Sequence, residues 1–574
     1  MKQAMKAWAY ALPLVISMLY FFSNPYFLMS FLPDDLFYYL EAARRSALFG
    51  GWPSMDGINI TSGFHSIYML FCIGLFRIIG NFDHVINVVL VVNLLIGYCL
   101  SLILYKLLHA KIKQTLNNIE KGMLISFVLL NPIIFLISSR ALENTMAAMG
   151  MFFTVLIHFK YLNRNKGLVS HEAVVLGGLI GCCGLLRTDS LLIACALGII
   201  WLFHLYKYDW SVKKILIFSI MPISAGLVMM LWWGTLLALQ ESMSQDSFYA
   251  FFFRAQHYAS SGFLSLTSIK NIAMNMVIWI YRLLFSLGSP IFMTFIVSNL
   301  IQKKLHIKPV EIRHFHSIVL ILGAILSVSF FGSHPLNIIS VKAFLFQGVI
   351  IGAVFFLSMI NKNIKHNVMH QRYEMVFLIL CMVLIVGFYS VIFRHFQFWY
   401  ASFLMVILIY IVSPYCLAFI CSAPSYLKPL IWVFISLNFV LTLSSINIHH
   451  IGNQGPLITA IKEKKGDYRK AYNYLKETHV NIGSFDSGLL SFLMHPSPVI
   501  NLDGVMNHSV ITALKNESYQ NYLESQNIKY ILSPDSRVEM FTQVFNFSYQ
   551  KKSLPFKSNV SVQVVEFYNP SRFD

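Results

Sequence analysis

The sequence has little charge. Only 12% of its 574 residues are Asp, Glu, Lys or Arg, whereas 57% are hydrophobic and the mean hydropathy is +0.64. Soluble domains carry roughly 25% charged residues, so the composition excludes an ordinary soluble protein. Runs of about 20 apolar residues, the length that crosses a bilayer, recur along the chain. The sequence therefore predicts an integral membrane protein.

Cysteine is also scarce, and all eight cysteines lie between residues 72 and 421. No disulfide framework therefore supports the C-terminal part of the chain. The adjacent pair Cys182-Cys183 lies in an apolar run, where packing is a more ordinary role than metal ligation. The sequence contains no glycine-rich phosphate loop, no Cys/His metal cluster and no nucleotide-binding fingerprint. Any phosphate chemistry must therefore rest on isolated charged residues.

The apolar segments predict an all-α polytopic membrane domain over residues 1–446, with about thirteen transmembrane helices. The predicted spans lie near residues 8–29, 85–106, 122–138, 144–160, 172–187, 190–206, 215–237, 271–299, 316–332, 341–361, 374–393, 401–421 and 429–446. Residues 447–574 are more polar and alternate short helical and strand patterns. This alternation predicts a small C-terminal α/β domain.

Individual elements of this second domain are predicted from local patterns. Strands are expected at Asn481–Ser484, Pro498–Leu502 and Ile528–Leu532, and helices at Asp467–Glu477 and Tyr519–Gln526.

Lysine and arginine set the predicted orientation. With the N-terminus in the cytoplasm, the inside loops carry 20 of these residues and the outside loops carry 9 before residue 447. Cytoplasmic loops are enriched in positive residues, so this orientation is favoured. Counting 64–80 as a span would move the lysine-rich loop 106–121 outside, so we interpret 64–80 as a juxtamembrane or re-entrant helix. The C-terminal domain is then predicted outside, and the net charge of +18 reflects loops facing anionic lipid rather than nucleic acid.

Two adjacent carboxylates, Asp34 and Asp35, follow the first predicted span directly. Ionisable groups beside apolar spans are costly and often mark function, although a hydrated acidic loop has the same pattern. Residues 34–49 show helical spacing, which predicts an amphipathic helix lying on the membrane. The loop that follows contains Asp56 and His65. His65 is suited either to donate to a phosphate oxygen or to cap the next helix.

Four more charged residues are predicted at the same outer face. Glu143 opens the fourth span, where a carboxylate suits a helix N-terminus. Arg187 and Asp189 interrupt a long apolar run, which is costly unless they pair or line a cavity. Arg394 lies in an aromatic loop and suits either phosphate binding or membrane anchoring. A helix cap at Glu143 and a structural ion pair at Arg187 stay open as alternatives.

Several strings resemble bacterial multi-spanning glycosyltransferases of the GT-C superfamily, which includes lipid A aminoarabinose transferases and protein O-mannosyltransferases. The first outer loop, residues 30–84, contains Asp34-Asp35-Leu36-Phe37-Tyr38-Tyr39-Leu40 and Asp56-Gly57-Ile58-Asn59-Ile60-Thr61-Ser62-Gly63-Phe64-His65. Leu186-Arg187-Thr188-Asp189 and the C-terminal pieces 483–488 and 499–507 are similar to the same branch. Ser66 stands where the commonest form has proline, which affects the local turn.

The resemblance implies a membrane enzyme that takes a sugar from a polyprenyl-phosphate-linked donor. The acceptor is a lipid, a glycan or a protein, and the reaction takes place at the outer face of a bacterial inner membrane. Such a transfer needs a base for the acceptor's proton and cations for the leaving phosphate. We predict Asp34 as the base and Asp35 as the group that orients the acceptor. Arg187, with His65 or Arg394, is predicted to bind the donor phosphate, and a direct displacement inverts the anomeric carbon.

Glu143, Asp189 and Asp56 are predicted to support this site. A divalent metal is left open as a cofactor, with Asp35 and Glu143 as its predicted ligands. The alternatives are a lipid-linked glycan transporter or flippase, and an O-antigen-type ligase. A flippase concentrates charge midway across the bilayer, whereas these acids are predicted at the outer face, which favours surface chemistry. The predicted partners are the sugar donor, membrane lipids and the acceptor, without nucleic acid.

Overall fold

The computed structural model describes residues 32–80, 82–111, 124, 128, 132–164, 168–208, 210–258, 373–393, 400, 402–421, 481–485, 487–545, 549–552 and 562–567. The helices in these ranges are α1 Asp34–Phe49, α2 Ser66–Ile79, α3 Phe82–Lys111, α4 Pro132–Ser139, α5 Asn144–Leu162, α6 Ser170–Leu186, α7 Ser190–Tyr208, α8 Val212–Gln240, α9 Asp246–Tyr258, α10 Glu374–Gly387, α11 Ser402–Cys421, α12 Gly488–Met494, α13 His508–Lys515, α14 Tyr519–Ser525 and α15 Asp535–Phe545. A π-helical segment, Phe388–Phe393, continues α10.

Five of the described helices are long and apolar enough to cross a membrane: α3, α5, α7, α8 and α10 with its π-helical extension. They coincide with the spans predicted near 85–106, 144–160, 190–206, 215–237 and 374–393. Helices α6 and α11 occupy the predicted spans 172–187 and 401–421. A polytopic helical membrane protein is thus confirmed. The count of thirteen stays a prediction, because 8–29, 271–299, 316–332, 341–361 and 429–446 lie outside the described residues and 122–138 is described only in part, with α4 at its end.

Helix α2 has 14 residues. At 1.5 Å per residue it is about 21 Å long, shorter than the ~30 Å hydrocarbon core of a bilayer. It begins after His65 and ends at Gly80, whose φ of 67° is readily adopted by glycine. This length agrees with a re-entrant or juxtamembrane helix rather than a full span.

Helix α1 forms over the predicted residues and is covered on two sides by other parts of the chain. Ten of its residues are buried, among them Glu41. On one side Tyr39 meets the ring of Tyr68 in α2, with centroids 5.0 Å apart. On the other side Phe37 meets Phe492 in α12 at 4.9 Å. The C-terminal part of the chain thus covers a face of α1 that spacing alone leaves exposed, and the position of α1 along the membrane surface stays a prediction.

The C-terminal residues form a five-stranded sheet with strands β1 Asn481–Ser484, β2 Val499–Asn501, β3 Ile528–Pro534, β4 Tyr549–Lys552 and β5 Val562–Phe567. The strand order is β2-β1-β3-β5-β4. Strands β2, β1 and β3 are parallel, whereas β5 pairs antiparallel with β3 and with β4. Helices α12, α13 and α14 connect the parallel strands, which need such crossovers. We call residues 481–567 the α/β unit.

Strands β1, β2 and β3 form at the strands predicted at 481–484, 498–502 and 528–532, and α14 forms at the helix predicted at 519–526. The core of the α/β unit includes Phe485 stacked on Phe541, with ring centroids 4.3 Å apart. The helix predicted at Asp467–Glu477 lies outside the described residues. The domain boundary at 447 and the extracytoplasmic position of this unit stay predictions.

Candidate functional site

The two adjacent aspartates at the start of α1 belong to different environments. Neighbours on a helix point about 100° apart. The Oδ1 of Asp34 accepts a hydrogen bond from the backbone N–H of Leu489 at 2.7 Å, and its Oδ2 accepts from Gly488 at 3.1 Å. Both donors open α12 of the α/β unit. Asp34, which the sequence predicts as the base, thus has both carboxylate oxygens bound to the α/β unit.

Asp35 lies within electrostatic reach of residues beside the spanning helices. Burial lowers the pKa of Arg140, at the end of α4, to about 10, and the charge of Asp35 opposes that shift. Burial raises the pKa of Tyr400, and the charge of Asp35 adds to the rise. The carboxylate of Asp35 therefore joins a polar cluster that also contains Arg140 and Tyr400.

Arg187 is the centre of that cluster and is 5% exposed. Its Nε donates to Asp189 Oδ1 at 3.0 Å and its Nη2 to Asp189 Oδ2 at 2.6 Å. Its Nη1 donates to Glu143 Oε1 at 2.6 Å and to Asn144 Oδ1. The forked contact predicted for a donor phosphate is thus directed at Asp189. Arg187, Glu143 and Asp189 form one network that links the start of α5 to the turn between α6 and α7.

The network keeps Arg187 and Asp189 charged. Burial by itself would raise the pKa of Asp189, but the Arg187 guanidinium and the hydroxyl of Tyr389 hold it below the ordinary value. Tyr389 donates to Asp189 Oδ2 at 2.5 Å. Burial would lower the pKa of Arg187, but Asp189 and Glu143 raise it well above the ordinary value. A charged guanidinium therefore persists at every physiological pH.

His65 lies at the rim of this network. Its backbone N–H donates to the hydroxyl oxygen of Tyr39 at 3.0 Å, and its Nε2 lies 3.8 Å from Glu143 Oε1. Burial lowers the pKa of His65; Glu143 opposes this shift and Arg187 adds to it. The ring is therefore neutral near pH 7. This protonation state does not support the cationic role predicted for His65, although the ring can still donate one hydrogen bond.

Replacing His65 with glutamine is expected to leave the shape of the kcat-against-pH profile unchanged. An imidazole whose pKa lies below its ordinary value stays neutral at and above pH 7, so it contributes no titration there. The measurement is sugar-transfer rate between pH 7 and 9 for the wild type and His65→Gln. The loss of a titration limb in the variant would show that His65 changes its charge during the reaction.

A narrow pocket adjoins Arg187. Its lining includes the polar side chains of Arg187, Asp189 and Tyr400 and the apolar side chains of Ile193, Ile385 and Phe403. The ring of Tyr400 lies 5.4 Å from the Arg187 guanidinium carbon. Charged and apolar side chains therefore meet at this pocket.

Residues 45–240 match the family model of the Alg9-like mannosyltransferases. The match confirms the resemblance to membrane glycosyltransferases of the GT-C superfamily. It also supports a glycosyltransferase that uses a lipid-linked donor. The matched range contains Glu143, Arg187 and Asp189, whereas Asp34, Asp35 and the α/β unit lie outside it. No curated protein matches the chain significantly.

Of the predicted supporting residues, Asp56 does not join the polar cluster around Arg187. Its Oδ1 accepts from the backbone N–H groups of Ile58 and Asn59 at 2.8 and 2.7 Å, and its Oδ2 accepts from the Asn59 side chain. Gly57 follows with φ of 80°. Asp56 therefore shapes its own turn, as aspartate commonly does. Arg394 lies outside the described residues.

Sequence reasoning missed Arg140, Asn144, Tyr389 and Tyr400 as members of the cluster. Arg140 and Asn144 lie within three residues of the predicted Glu143, and this closeness in sequence could have identified them. Between them, Ala141 has φ of 52°, a conformation that is strained for a residue with a side chain and that is found at functional sites. Nothing in an alanine predicts such a turn.

The described residues contain no group of three or more metal-ligating side chains. Asp35 and Glu143 as metal ligands therefore stay a sequence-based prediction, and no step of the proposed reaction is assigned to a metal.

Proposed function

We propose that this protein is an inverting glycosyltransferase that moves a sugar from a polyprenyl-phosphate donor to a lipid, glycan or protein acceptor. We place the reaction at the outer face of a bacterial inner membrane. The observation that supports the proposal best is the cluster in which Asp35 lies near Arg140 while Arg187 adjoins an apolar-walled pocket. A base, positive charge and a hydrocarbon slot are the three features that this transfer needs.

In this proposal Asp35, not Asp34, is the base. A carboxylate that accepts two backbone N–H bonds is stabilised in its charged form and is a weaker base. Both oxygens of Asp34 are engaged in this way. Asp35 takes the proton of the acceptor hydroxyl, and the acceptor oxygen bonds to the anomeric carbon. The carbon–oxygen bond to phosphate breaks, and its electron pair leaves with the polyprenyl phosphate.

Positive charge for the leaving phosphate is assigned to Arg140. Arg187 is paired with two carboxylates, so its charge is offset and its assigned role is to hold Glu143 and Asp189 in place. Arg140 adjoins Asp35 and lies next in sequence to the strained Ala141. Neutral His65 is assigned a hydrogen bond to substrate oxygen. Arg394 is retained from the sequence as a second phosphate ligand.

The lipid part of the donor is assigned to the apolar wall of the pocket. Ile193, Ile385 and Phe403 come from three different helices, α7, α10 and α11. A polyprenyl chain that enters between them would place its head group beside the charged network. This arrangement accounts for a charged network placed at the ends of spanning helices, where it would otherwise be costly.

The decisive experiment is sugar transfer by the purified full chain in lipid nanodiscs. Polyprenyl-phosphate mannose is the first donor to use, because the matched family is named for mannosyl transfer, and other polyprenyl-phosphate sugars follow. Release of polyprenyl phosphate is measured together with the anomeric configuration of the product. Inversion is expected. Movement of the intact donor across vesicle membranes without its cleavage would favour the transporter instead.

Topology provides an independent check. We expect a phosphatase reporter fused after residue 446 to be active, and one fused within 107–120 to be silent, because the Lys and Arg distribution places the second loop inside. Alkaline phosphatase activity in whole cells is the measurement, and expression of each fusion is the control. The reverse pattern would overturn the outer-face location.

A further inference from the structure

We propose that Asp34 is a positioning residue: its carboxylate fixes the α/β unit against α1 and thereby sets the direction of Asp35 in the site. The inference rests on the proposed function and gives the α/β unit a part in it. The adjacent carboxylates then have separate tasks, one holding the unit and one taking a proton.

The contact at Asp34 is closely fitted. The first amides of a helix have no partner within the helix, and a carboxylate supplies charge-assisted acceptors for them. Asp34 accepts from two of them in α12. A Cβ at residue 488 would lie 2.5 Å from the backbone oxygen of Asp34 and 3.0 Å from its Oδ2. Glycine at 488 is therefore what permits this approach.

One face of α1 continues the contact turn by turn. Tyr38, one turn after Asp34, accepts from the backbone N–H of Ser487 at 3.0 Å. Glu41, fully buried, lies 3.0 Å from Nδ1 of His495. Residues three and four apart share a helix face, so residues 34, 38 and 41 form one stripe towards the α/β unit.

The other face of α1 serves the site. Tyr39 lies one turn after Asp35, so both occupy the same stripe. The hydroxyl oxygen of Tyr39 accepts from the backbone N–H of His65. Because the two stripes belong to one rigid helix, contacts on the first determine where Asp35 points on the second. A rotation of α1 would move both together.

The α/β unit also holds the loop that carries His65. The backbone N–H of His508 donates to the carbonyl of Ile60 at 3.1 Å. A Cβ on Gly63 would lie 1.6 Å from the carbonyl oxygen of Val505, so the two backbones touch. Asp246, fully buried, accepts from the N–H of Ser62 and contacts Nδ1 of His508. Helix α1 and its following loop are thus anchored to the same unit.

The test uses the full chain in nanodiscs with polyprenyl-phosphate mannose. Asp34→Asn removes the charge from one side of the contact, and Gly488→Ala inserts a methyl group from the other side without changing any polar side chain. A misplacement of about 1 Å can cost on the order of 10²-fold in rate. We expect both variants to lose about 10–100-fold in kcat, with KM for the donor and the acid limb of the pH–rate profile retained.

The double variant tests whether both residues act through one contact. If they do, the double variant Asp34→Asn with Gly488→Ala loses no more kcat than the more damaging of the two single variants. Gly483→Ala is the matched control, because its Cβ would press on the flexible side chain of Leu502 inside the α/β unit. We expect it to leave kcat within a factor of about 3, since it does not touch α1. Hydrogen exchange should rise over 488–494 in the test variants and not in the control.

Several results would overturn the proposal. Wild-type kcat in Gly488→Ala, with faster exchange over 488–494, would show that docking is not needed for activity. Loss of the acid limb in Asp34→Asn would make Asp34 the base. If Asp34→Asn does not fold, Gly488→Ala decides alone. If no donor is turned over, the proposed function fails, whereas unchanged exchange in both variants would refute the docking itself.

Discussion

Replacing Asp35 with asparagine is expected to lower the rate of sugar transfer by about 10²–10⁴-fold, the usual contribution of a general base. Asparagine keeps the size of the side chain and much of its hydrogen bonding but has no basic carboxylate. The charge of Asp35 acts on Arg140 and Tyr400, so its removal affects the polar cluster that contains them. The contacts of Asp34 with α12 are made by a different side chain and should persist.

The measurement is single-turnover transfer from polyprenyl-phosphate mannose at several pH values. Asp35→Asn should lose the acid limb of the profile, because that limb reports deprotonation of the base. Monodisperse protein and wild-type hydrogen exchange over 488–494 are the controls for folding. Equal activity of Asp35→Asn and the wild type would remove the catalytic role. A larger loss in Asp34→Asn, with loss of the limb, would return the role to Asp34.

Replacing Arg187 with methionine is expected to cause the largest loss of stability of any single change in the cluster. Glu143 and Asp189 would then keep their buried carboxylates without a cation. Removing one partner of a buried ion pair typically costs about 3–5 kcal/mol. Arg187 pairs with both acids, so the loss should lie at the upper end of that range and should abolish transfer as well.

Thermal unfolding in detergent measures this effect, with Arg164→Met as the matched control. Arg164 pairs with Glu172 at 3.2 Å, but its side chain is 46% exposed, and such pairs contribute at most about 1 kcal/mol. Arg187→Lys tests the geometry separately, since lysine keeps the charge but not the fork. Equal melting temperatures for Arg187→Met and the control would contradict a central structural role for Arg187.

The side-chain contacts of Arg187 limit the ways in which it could bind a phosphate. Four of its five N–H groups donate to side-chain oxygens. A forked phosphate contact needs two N–H groups, so it would have to displace one of these acceptors. The structure therefore favours a role in organising Glu143 and Asp189 over the forked phosphate contact that sequence alone suggests.

A large part of the fold could be predicted from local patterns in the sequence. Apolar runs predicted the positions of α3, α5, α7, α8 and α10, because a helix in a bilayer must be long and apolar throughout. Helical spacing predicted α1, and short alternating patterns predicted β1, β2 and β3. The pairing of Arg187 with Asp189 was left open as an alternative, since the two lie in one short turn.

Tertiary structure alone decided how the site residues divide. Asp34 and Asp35 are equal in sequence, and their separate directions depend on residues 488 and 489 and on Arg140, far along the chain. The burial of α1 likewise depends on the α/β unit that covers it. Sequence by itself determined which segments are apolar and which positions carry charge, because these are properties of each residue. Which charges meet was decided by packing between distant segments, since a pairing between distant residues has no local signature.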